Sequence, residues 1–399
     1  MHLFSRFRVV LAVLFALPVL LHAQCTPYPA PPSTYLICIP PGAGPNIDLV
    51  VFAHGYVSPT VPAGQIPFDQ LQIQGVPIPA LVNSLGFAFA VSSYPKNGLA
   101  IREGMTDLEN LAAFYKTLGH APEHVYLVGA SEGGLVTTKL VEEGSPAFSG
   151  GLALCGPIGD FPSQINHFGD FRVVFDYFFP NVLPSSPVDI PTSAMEEWDP
   201  GLASAVAAAI LGNPSAAKQL YTVTGTPTDP TQPADAAIGN LWYNIFATDE
   251  AHTELGGQPF NNKGRLYLGS SNDFRLNTRV ERFSADSAAV NQMRAFYQTT
   301  GKLPEPLVTM HTTGDPIVPY WHEALYGVKV LLKGSLREYL HLPIVRYGHC
   351  NFQPPEVLLG FALLVQRVSG QQLANPELAL PNEQMRQQFR SLAAGKASQ

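Results

Sequence analysis

Gly129-Ala130-Ser131-Glu132-Gly133 puts a serine between two glycines where a short apolar run gives way to a helical pattern. The residues before it, His124-Val125-Tyr126-Leu127-Val128, form an apolar, β-branched run of the kind that becomes a strand covered on both faces. Those after it, from Gly134 through Leu135, Val136, Leu140 and Val141, carry apolar groups at helical spacing up to Gly144. The pentapeptide is therefore a strand-to-helix turn. Such an elbow forces its serine into a strained backbone conformation, and glycines on either side let neighbouring backbone pass close enough to hold it there. The hydroxyl of Ser131 then projects above the sheet as a candidate nucleophile. The plain alternative is a turn serine between permissive glycines, so the decision falls to the rest of the chain.

An oxygen nucleophile needs a base, and the base needs an acid to orient it. Pro306-Leu307-Val308-Thr309-Met310-His311 is a second strand-like run, and it leads into Thr313-Gly314-Asp315-Pro316, which leaves Asp315 on a tight turn at the strand's carboxyl end. Pro343-Ile344-Val345-Arg346-Tyr347 reads as a final strand. It is followed by Gly348-His349-Cys350 and an apolar helix from about Pro355 to Val368. Asp315 is the candidate acid and His349 the candidate base. An earlier strand, Leu49-Val50-Val51-Phe52-Ala53, ends in His54-Gly55-Tyr56.

With these four segments in this order, the chain resembles the α/β-hydrolase superfamily, whose members carry serine, acid and histidine in that sequence on loops at one edge of a mostly parallel sheet. The resemblance covers about half the chain. It implies an α/β fold with a mostly parallel, doubly wound sheet and a largely helical cap inserted after the strand that follows the elbow. It also implies an oxyanion hole made by the backbone N–H groups of Tyr56 and Glu132. Fixed amides of this kind stabilise the charge that develops on a tetrahedral intermediate by about 3 to 4 kcal/mol each. In this family a histidine at the position of His54 is structural. A serine at the elbow sets the chain apart from the dehalogenases and epoxide hydrolases of the same fold, which use an aspartate there.

The other candidates have quieter readings. His311 and His322 are expected to be hydrogen-bonded structural histidines, His120 and His124 loop residues, and the side chain of Glu132 packed or solvated. Thr106-Asp107-Leu108-Glu109 reads as a capping box opening a helix. Between the two halves of the core lies a segment rich in rings: Phe168, Phe171, Phe175, Tyr177, Phe178 and Phe179, later Trp242, Tyr243 and Phe246. These suggest either an apolar pocket over the serine or the cap's own core. The boundaries expected are 1–23 for a signal peptide, 24–155 and 302–369 for the two parts of the core, 156–301 for the cap and 370–399 for a polar tail.

Arg6 and Arg8 followed by the apolar run Val9–Leu17, with Ala23 further on, predict a secretory signal peptide cleaved after Ala23. The run is too short to span a membrane, and Gln24 before Cys25 argues against a lipoprotein, so a secreted or periplasmic protein without a stable membrane anchor is expected. Four cysteines in an exported chain allow three pairings. Cys25 and Cys38 bracket a short Pro-rich segment. Cys155 and Cys350 would then pair, one ending the strand next to the elbow strand and the other following His349; two reduced thiols at 155 and 350 remain the alternative. Secreted esterases resembling tannase and feruloyl esterase tie a cysteine beside the histidine to one beside the nucleophile, and here Ala130 stands before the serine instead.

The 399 residues are 46% apolar and 14% charged, enough to bury a large core, with a formal charge of −8. That charge, without a basic patch, excludes nucleic acid as a partner. No phosphate-cradling loop, metal-spaced cluster or internal repeat occurs, so no cofactor and no metal are expected. The expected activity is hydrolysis of a carboxylic ester with apolar or aromatic groups, whether small molecule or polymer. A serine peptidase or acyltransferase on the same fold is the nearest alternative, and a non-catalytic ligand-binding protein the alternative of another class. A peptidase that trims free amino termini would need a carboxylate pair in the cap, for which Glu196-Glu197 is the candidate.

Overall fold

The computed structural model describes residues 24–184 and 186–397. The expected signal peptide and its cleavage site lie outside the described residues. Eight strands form one sheet: β1 (Gln24–Ala30), β2 (Ser33–Ile39), β3 (Leu49–Ala53), β4 (Ala88–Ser92), β5 (Val125–Ala130), β6 (Gly150–Leu154), β7 (Leu307–Gly314) and β8 (Tyr339–Tyr347). Their order across the sheet is β1-β2-β4-β3-β5-β6-β7-β8. The pairs β1–β2 and β2–β4 are antiparallel and the rest are parallel.

The parallel strands read as continuous apolar runs because both faces are covered. Leu49–Ala53, Ala88–Ser92 and Gly150–Leu154 are buried at every residue. Alternate residues of β5 serve opposite faces. Val125 and Leu127 pack with helices α2 (Ile101–Thr117), α3 (Glu132–Glu143) and α10 (Trp321–Lys333). Tyr126 and Val128 look toward α1 (Ile78–Ser84) and α11 (Pro354–Ser369).

β3 pairs with β4 on one side and β5 on the other, so the crossovers from β3 run first one way and then back. Loops diverge at this switch point and leave a crevice at the strand ends. Both the 54–56 loop and the elbow open into it. This is the α/β-hydrolase arrangement, with a large helical insertion between β6 and β7.

The insertion carries α4 (Phe161–Phe178), α5 (Ala203–Gly212), α6 (Pro214–Thr224), α7 (Asp235–Tyr243), α8 (Asp249–Glu254) and α9 (Asp273–Arg279). Phe171, Phe175, Phe179 and Phe246 pack with Val206, Leu220 and Leu241 in a core that belongs to the cap alone. Most of the aromatic residues noted in the sequence thus stabilise the cap itself. Among the described residues, no helix is long and apolar enough to cross a membrane.

One expectation from the sequence gives way. Thr106 does not open a helix, because α2 begins five residues earlier at Ile101. Asp107 is instead buried in mid-helix, accepting from the hydroxyls of Tyr35 and Ser92, so its carboxylate ties α2 to β2 and β4 rather than capping anything. The segment beyond 370, expected as a polar tail, is helical over much of its length. It forms α12 (Glu383–Ala397), whose Phe389 packs with Leu380 against Leu358 and Leu359 of α11.

The elbow glycines are sterically required. A Cβ on Gly133 would lie 2.0 Å from the carbonyl oxygen of Ala53, and one on Gly129 would lie 2.1 Å from that of Gly133. Gly212, at the end of α5, faces open space. Gly133→Ala is therefore expected to destabilise the protein by about 3 kcal/mol or more, whereas Gly212→Ala is neutral or stabilising by up to about 1 kcal/mol. Urea unfolding of the two variants checks this contrast.

Candidate active site

Ser131 sits between β5 and α3 with φ 57° and ψ −119°, a conformation that side chains rarely adopt. It is held there from both sides: its N–H donates to the carbonyl of Leu154 at 2.8 Å, and the glycine contacts bring α3 hard against β3. Its Oγ lies 2.8 Å from Nε2 of His349. Nδ1 of the same ring lies 2.7 Å from Oδ2 of Asp315. Three side chains separated by up to 218 positions thus form one continuous hydrogen-bonded chain.

Asp315 is fully buried, yet each of its oxygens is satisfied. Oδ1 accepts from the N–H groups of Ile317 and Val318 at 2.9 and 3.0 Å. Oδ2 faces His349 and, at 3.4 Å, Nε2 of His311. Burial alone would raise this carboxyl, but the two imidazoles beside it hold it well below the usual carboxylate range. The turn carrying it is clamped by the cap: Gln164 donates to the carbonyl of Ile317, and His167 and Asn240 reach that of Pro316.

His311 was expected to be structural, and its contacts are indeed hydrogen bonds within the fold. Nε2 donates to the carbonyl of Val318 at 2.8 Å and Nδ1 meets Glu323 at 3.1 Å. Both ring nitrogens face acceptors, which requires both to carry protons. Burial opposes the charge, but Asp315 and Glu323 outweigh it and push the imidazole up to about 10. The two carboxylates thus favour the charged form of the imidazole behind Asp315. His322 is also buried, accepting from the N–H of Gly159 at 2.9 Å and pairing with Gln164.

The loop after β3 approaches the serine closely, since a Cβ on Gly55 would lie 3.2 Å from Cβ of Ser131. Among the described residues, nothing accepts from the backbone N–H of Tyr56 or of Glu132. Gln70 fixes this loop. Its Oε1 accepts from the N–H of Gly55 at 2.7 Å and its Nε2 donates to the carbonyl of Tyr56 at 3.3 Å. Nothing in the irregular sequence around Gln70 announces that duty. His54 is buried against Tyr94 with Nδ1 2.7 Å from the carbonyl of Gly55, and burial pushes its ring down to about 4. It is a neutral, structural residue.

Both disulfides form as expected, and the described cysteines include no free thiol. Cys25 and Cys38 are directly opposed in the β1–β2 hairpin. Cys155 and Cys350 join the end of β6 to the residue after His349, each with a positive φ, at a Cα separation of 5.4 Å. Among the described residues, the one grouping close enough to hold a metal is Cys155, His349 and Cys350. The bond between the two sulfurs removes both thiolates from that role.

Beside the serine and His349 opens a cavity of about 370 Å³, within the range of small-molecule sites. Of the two readings of the cap aromatics, its walls favour the cap's own core, since among the described cap residues only Tyr243 lines it. Tyr243 is half-buried, stacked on Phe168 and tilted against Tyr56. Burial raises its phenol, Asp315 and Glu132 add to this, and the neighbouring Ser131 hydroxyl works in the opposite sense. Glu196 and Glu197 are both exposed.

Glu132 takes the packed of its two expected readings. Its side chain is buried and accepts from the N–H of Ala100 at 3.0 Å. Burial raises the carboxyl to about 8, with the cap residue Glu250 adding to the rise and the Ala100 amide opposing it. Glu250 in turn accepts from the N–H of Leu99 at 2.7 Å, and its carboxyl is raised to about 7, chiefly by burial. Two carboxyls on adjacent amides thus join α8 of the cap to the elbow.

No protein-family model matches the sequence, and neither does any curated protein. Solved structures similar in outline include the acylaminoacyl peptidase of Pyrococcus horikoshii, at 11% identity and a TM-score of 0.44, covering 87% of this chain and 42% of that one. An esterase of Pyrococcus furiosus gives 10% identity and a TM-score of 0.46 over 89% and 92% of the two chains. Feruloyl esterase B from Aspergillus oryzae gives 13% and 0.41 over 86% and 80%. The chain spans less than half the length of the peptidase it matches. Likenesses this distant carry no argument about activity.

The buried carboxyl of Glu132 makes stability depend on pH. Its folded value, about 8, lies above the ordinary 4.5, so its contribution is complete below about pH 4.5 and is lost as pH rises through 8. Glu132→Gln keeps an acceptor for Ala100 and removes the titration. Melting temperatures measured from pH 5 to 9 are expected to fall by several degrees less in this variant than in the parent. Equal slopes would contradict the assignment.

Proposed function

We infer that this protein is a serine hydrolase that cleaves carboxylic esters through an acyl-enzyme on Ser131. The observation that carries the reading is the hydrogen-bonded chain from Oγ of Ser131 through both nitrogens of His349 to Asp315, at 2.8 and 2.7 Å. Those contacts lie within the range a general base needs to take a hydroxyl proton.

In this reading His349 removes the proton of Ser131 as Oγ attacks the ester carbonyl. The ring becomes an imidazolium, which the buried carboxylate of Asp315 stabilises and keeps in the reacting tautomer. The unpaired N–H groups of Tyr56 and Glu132 bind the oxyanion of the tetrahedral intermediate. The C–O bond to the alcohol then breaks, and the alcohol takes the proton from His349. Water enters, gives a proton to the same ring and attacks the acyl-enzyme. The acid leaves and Oγ of Ser131 recovers its proton.

Several supports converge. The carboxylate is kept ionised by two imidazoles rather than one, so it does not compete for the proton of His349. The disulfide at Cys350 and the bond from Oγ1 of Thr312 to the carbonyl of Gly348, at 2.6 Å, hold the histidine turn from two sides. The reading as an amino-terminal peptidase finds no comparable support, since Glu196 and Glu197 point into solvent. Export from the cell, with the leader ending at Ala23, agrees with two disulfides in a chain of this size.

A fluorophosphonate probe is expected to label the protein, and Ser131→Ala to abolish labelling. The same variant should lower hydrolysis of p-nitrophenyl acetate by at least about 10⁴-fold, and Asp315→Asn by at least about 10³-fold. Retention of labelling in Ser131→Ala would rule the reading out. Removing the bridge with Cys155→Ala and Cys350→Ala together is expected to lower the melting temperature markedly, since a loop closed over 195 residues is worth roughly 5 kcal/mol in the chain-entropy model. Differential scanning calorimetry of the double variant checks this.

A further inference from the structure

The cavity beside Ser131 does not run under the cap. It passes from the serine into the core, between the sheet and the two helices α1 and α11. One wall is Phe52, Val128 and Leu154 on β3, β5 and β6, and the facing wall is Val82 of α1 with Val357 and Phe361 of α11. Its polar lining includes Gln70, which holds Gly55, and the exposed Gln72 and Gln74 at its mouth. Gln74 donates to Asn351 in the histidine turn at 3.2 Å, which fixes the rim against His349.

Residual exposure of several wall residues agrees with the hollow. Val128 lies on a strand paired on both sides, with helices over its face, yet it is 8% exposed. Leu127, its neighbour on the opposite face, is 0% exposed. Val357 and Val82, on the helices opposite, retain 8% and 7%. These side chains look into unfilled space, where a close-packed interior would leave almost none. Ala130 lines the passage between Ser131 and the hollow, and its small side chain leaves the way open.

We propose that this core cavity is the acyl site, and that the substrates are esters of unbranched aliphatic acids of medium length. The proposal rests on the serine-esterase reading above. An alkyl chain is favoured because nothing polar on the interior walls could satisfy a hydroxyl or amide, and such a group left unpaired there would be costly. The acyl part is assigned to it by the order of events. The alcohol leaves first and needs a path outward, whereas the acyl group stays bonded to Oγ of Ser131 and can occupy a site that ends inside the protein.

The test compares two series of esters. With p-nitrophenyl esters from acetate to dodecanoate, kcat/KM is expected to rise by about fourfold per methylene until the cavity is full. With alkyl acetates, in which only the alcohol grows, it is expected to stay nearly flat. Val128→Phe, which fills the hollow from the sheet side, should lower the decanoate-to-acetate ratio at least tenfold. Phe361→Ala, which lengthens it, should move the preferred acyl chain to greater length, so the proposal stands or falls even if the first variant does not fold. Length dependence in the alcohol series alone, or in neither, overturns the assignment while leaving the esterase reading intact. Calorimetric binding of decanoate to Ser131→Ala is read without any turnover. Binding there that disappears in Val128→Phe/Ser131→Ala supports the alkyl site even if no ester is hydrolysed, the result that would remove the esterase reading instead. Decanoate that fails to bind Ser131→Ala overturns the site.

Discussion

The tightest constraint in the molecule is the contact of helix α3 with the end of β3. The two can approach because Gly133 has no Cβ, while Gly129, on β5, likewise leaves room for the carbonyl of Gly133; the geometry of the elbow depends on that approach. It drives Ser131 to a positive φ, lifts its Oγ above the sheet and leaves the N–H of Glu132 without an intrahelical partner. Strain of this kind persists where surrounding packing over-determines it. Here the packing comes from the most buried strands of the sheet, so a side chain added at position 133 would disturb the fold and the site together.

Around that elbow the structure sets charges in a particular order. Behind Asp315 stands His311, protonated because both of its nitrogens face acceptors, and behind His311 stands Glu323, held below the usual carboxylate range by His311 and His341 despite burial. The alternation of signs lets a buried carboxylate stay ionised where an isolated one would take up a proton. On the other flank the logic reverses. Glu132 and Glu250 share a buried site with too little positive charge, so both carboxyls are raised. The same kind of side chain is thus held toward its charged form on one side of the serine and pushed toward its neutral form on the other, by burial and by its neighbours.

The cap takes one of the two parts its composition allows. Its phenylalanines are largely spent on its own core, while its polar residues, Gln164, His167 and Asn240, hold the turn of Asp315. Aromatic density cannot distinguish a ring that packs from a ring that lines a site, because both are apolar at the same spacing. Among the described cap residues, only Tyr243, at the end of α7, lines the cavity beside the serine. The cavity itself is walled by the valines, leucines and phenylalanines of ordinary core strands and helices, and in sequence such residues look the same whether the space between them is filled or empty.

What the amino-acid sequence determined by itself is local in origin. Strand and helix follow from side-chain periods of two and three to four residues, the elbow from glycines at fixed offsets, and the order of serine, acid and base from loops at the ends of recognisable strands. Even the cysteine pairing was within reach, because four cysteines leave few choices. Tertiary structure alone decided that Asp107 ties a helix to the sheet instead of capping it, that Gln70 holds the loop of Tyr56, that His311 carries a charge, and that a hollow runs inward from Ser131. Each of these depends on groups brought together from distant parts of the chain, and on the balance between burial and partner charge where they meet. That balance is a property of the assembled interior, which no short window of sequence contains.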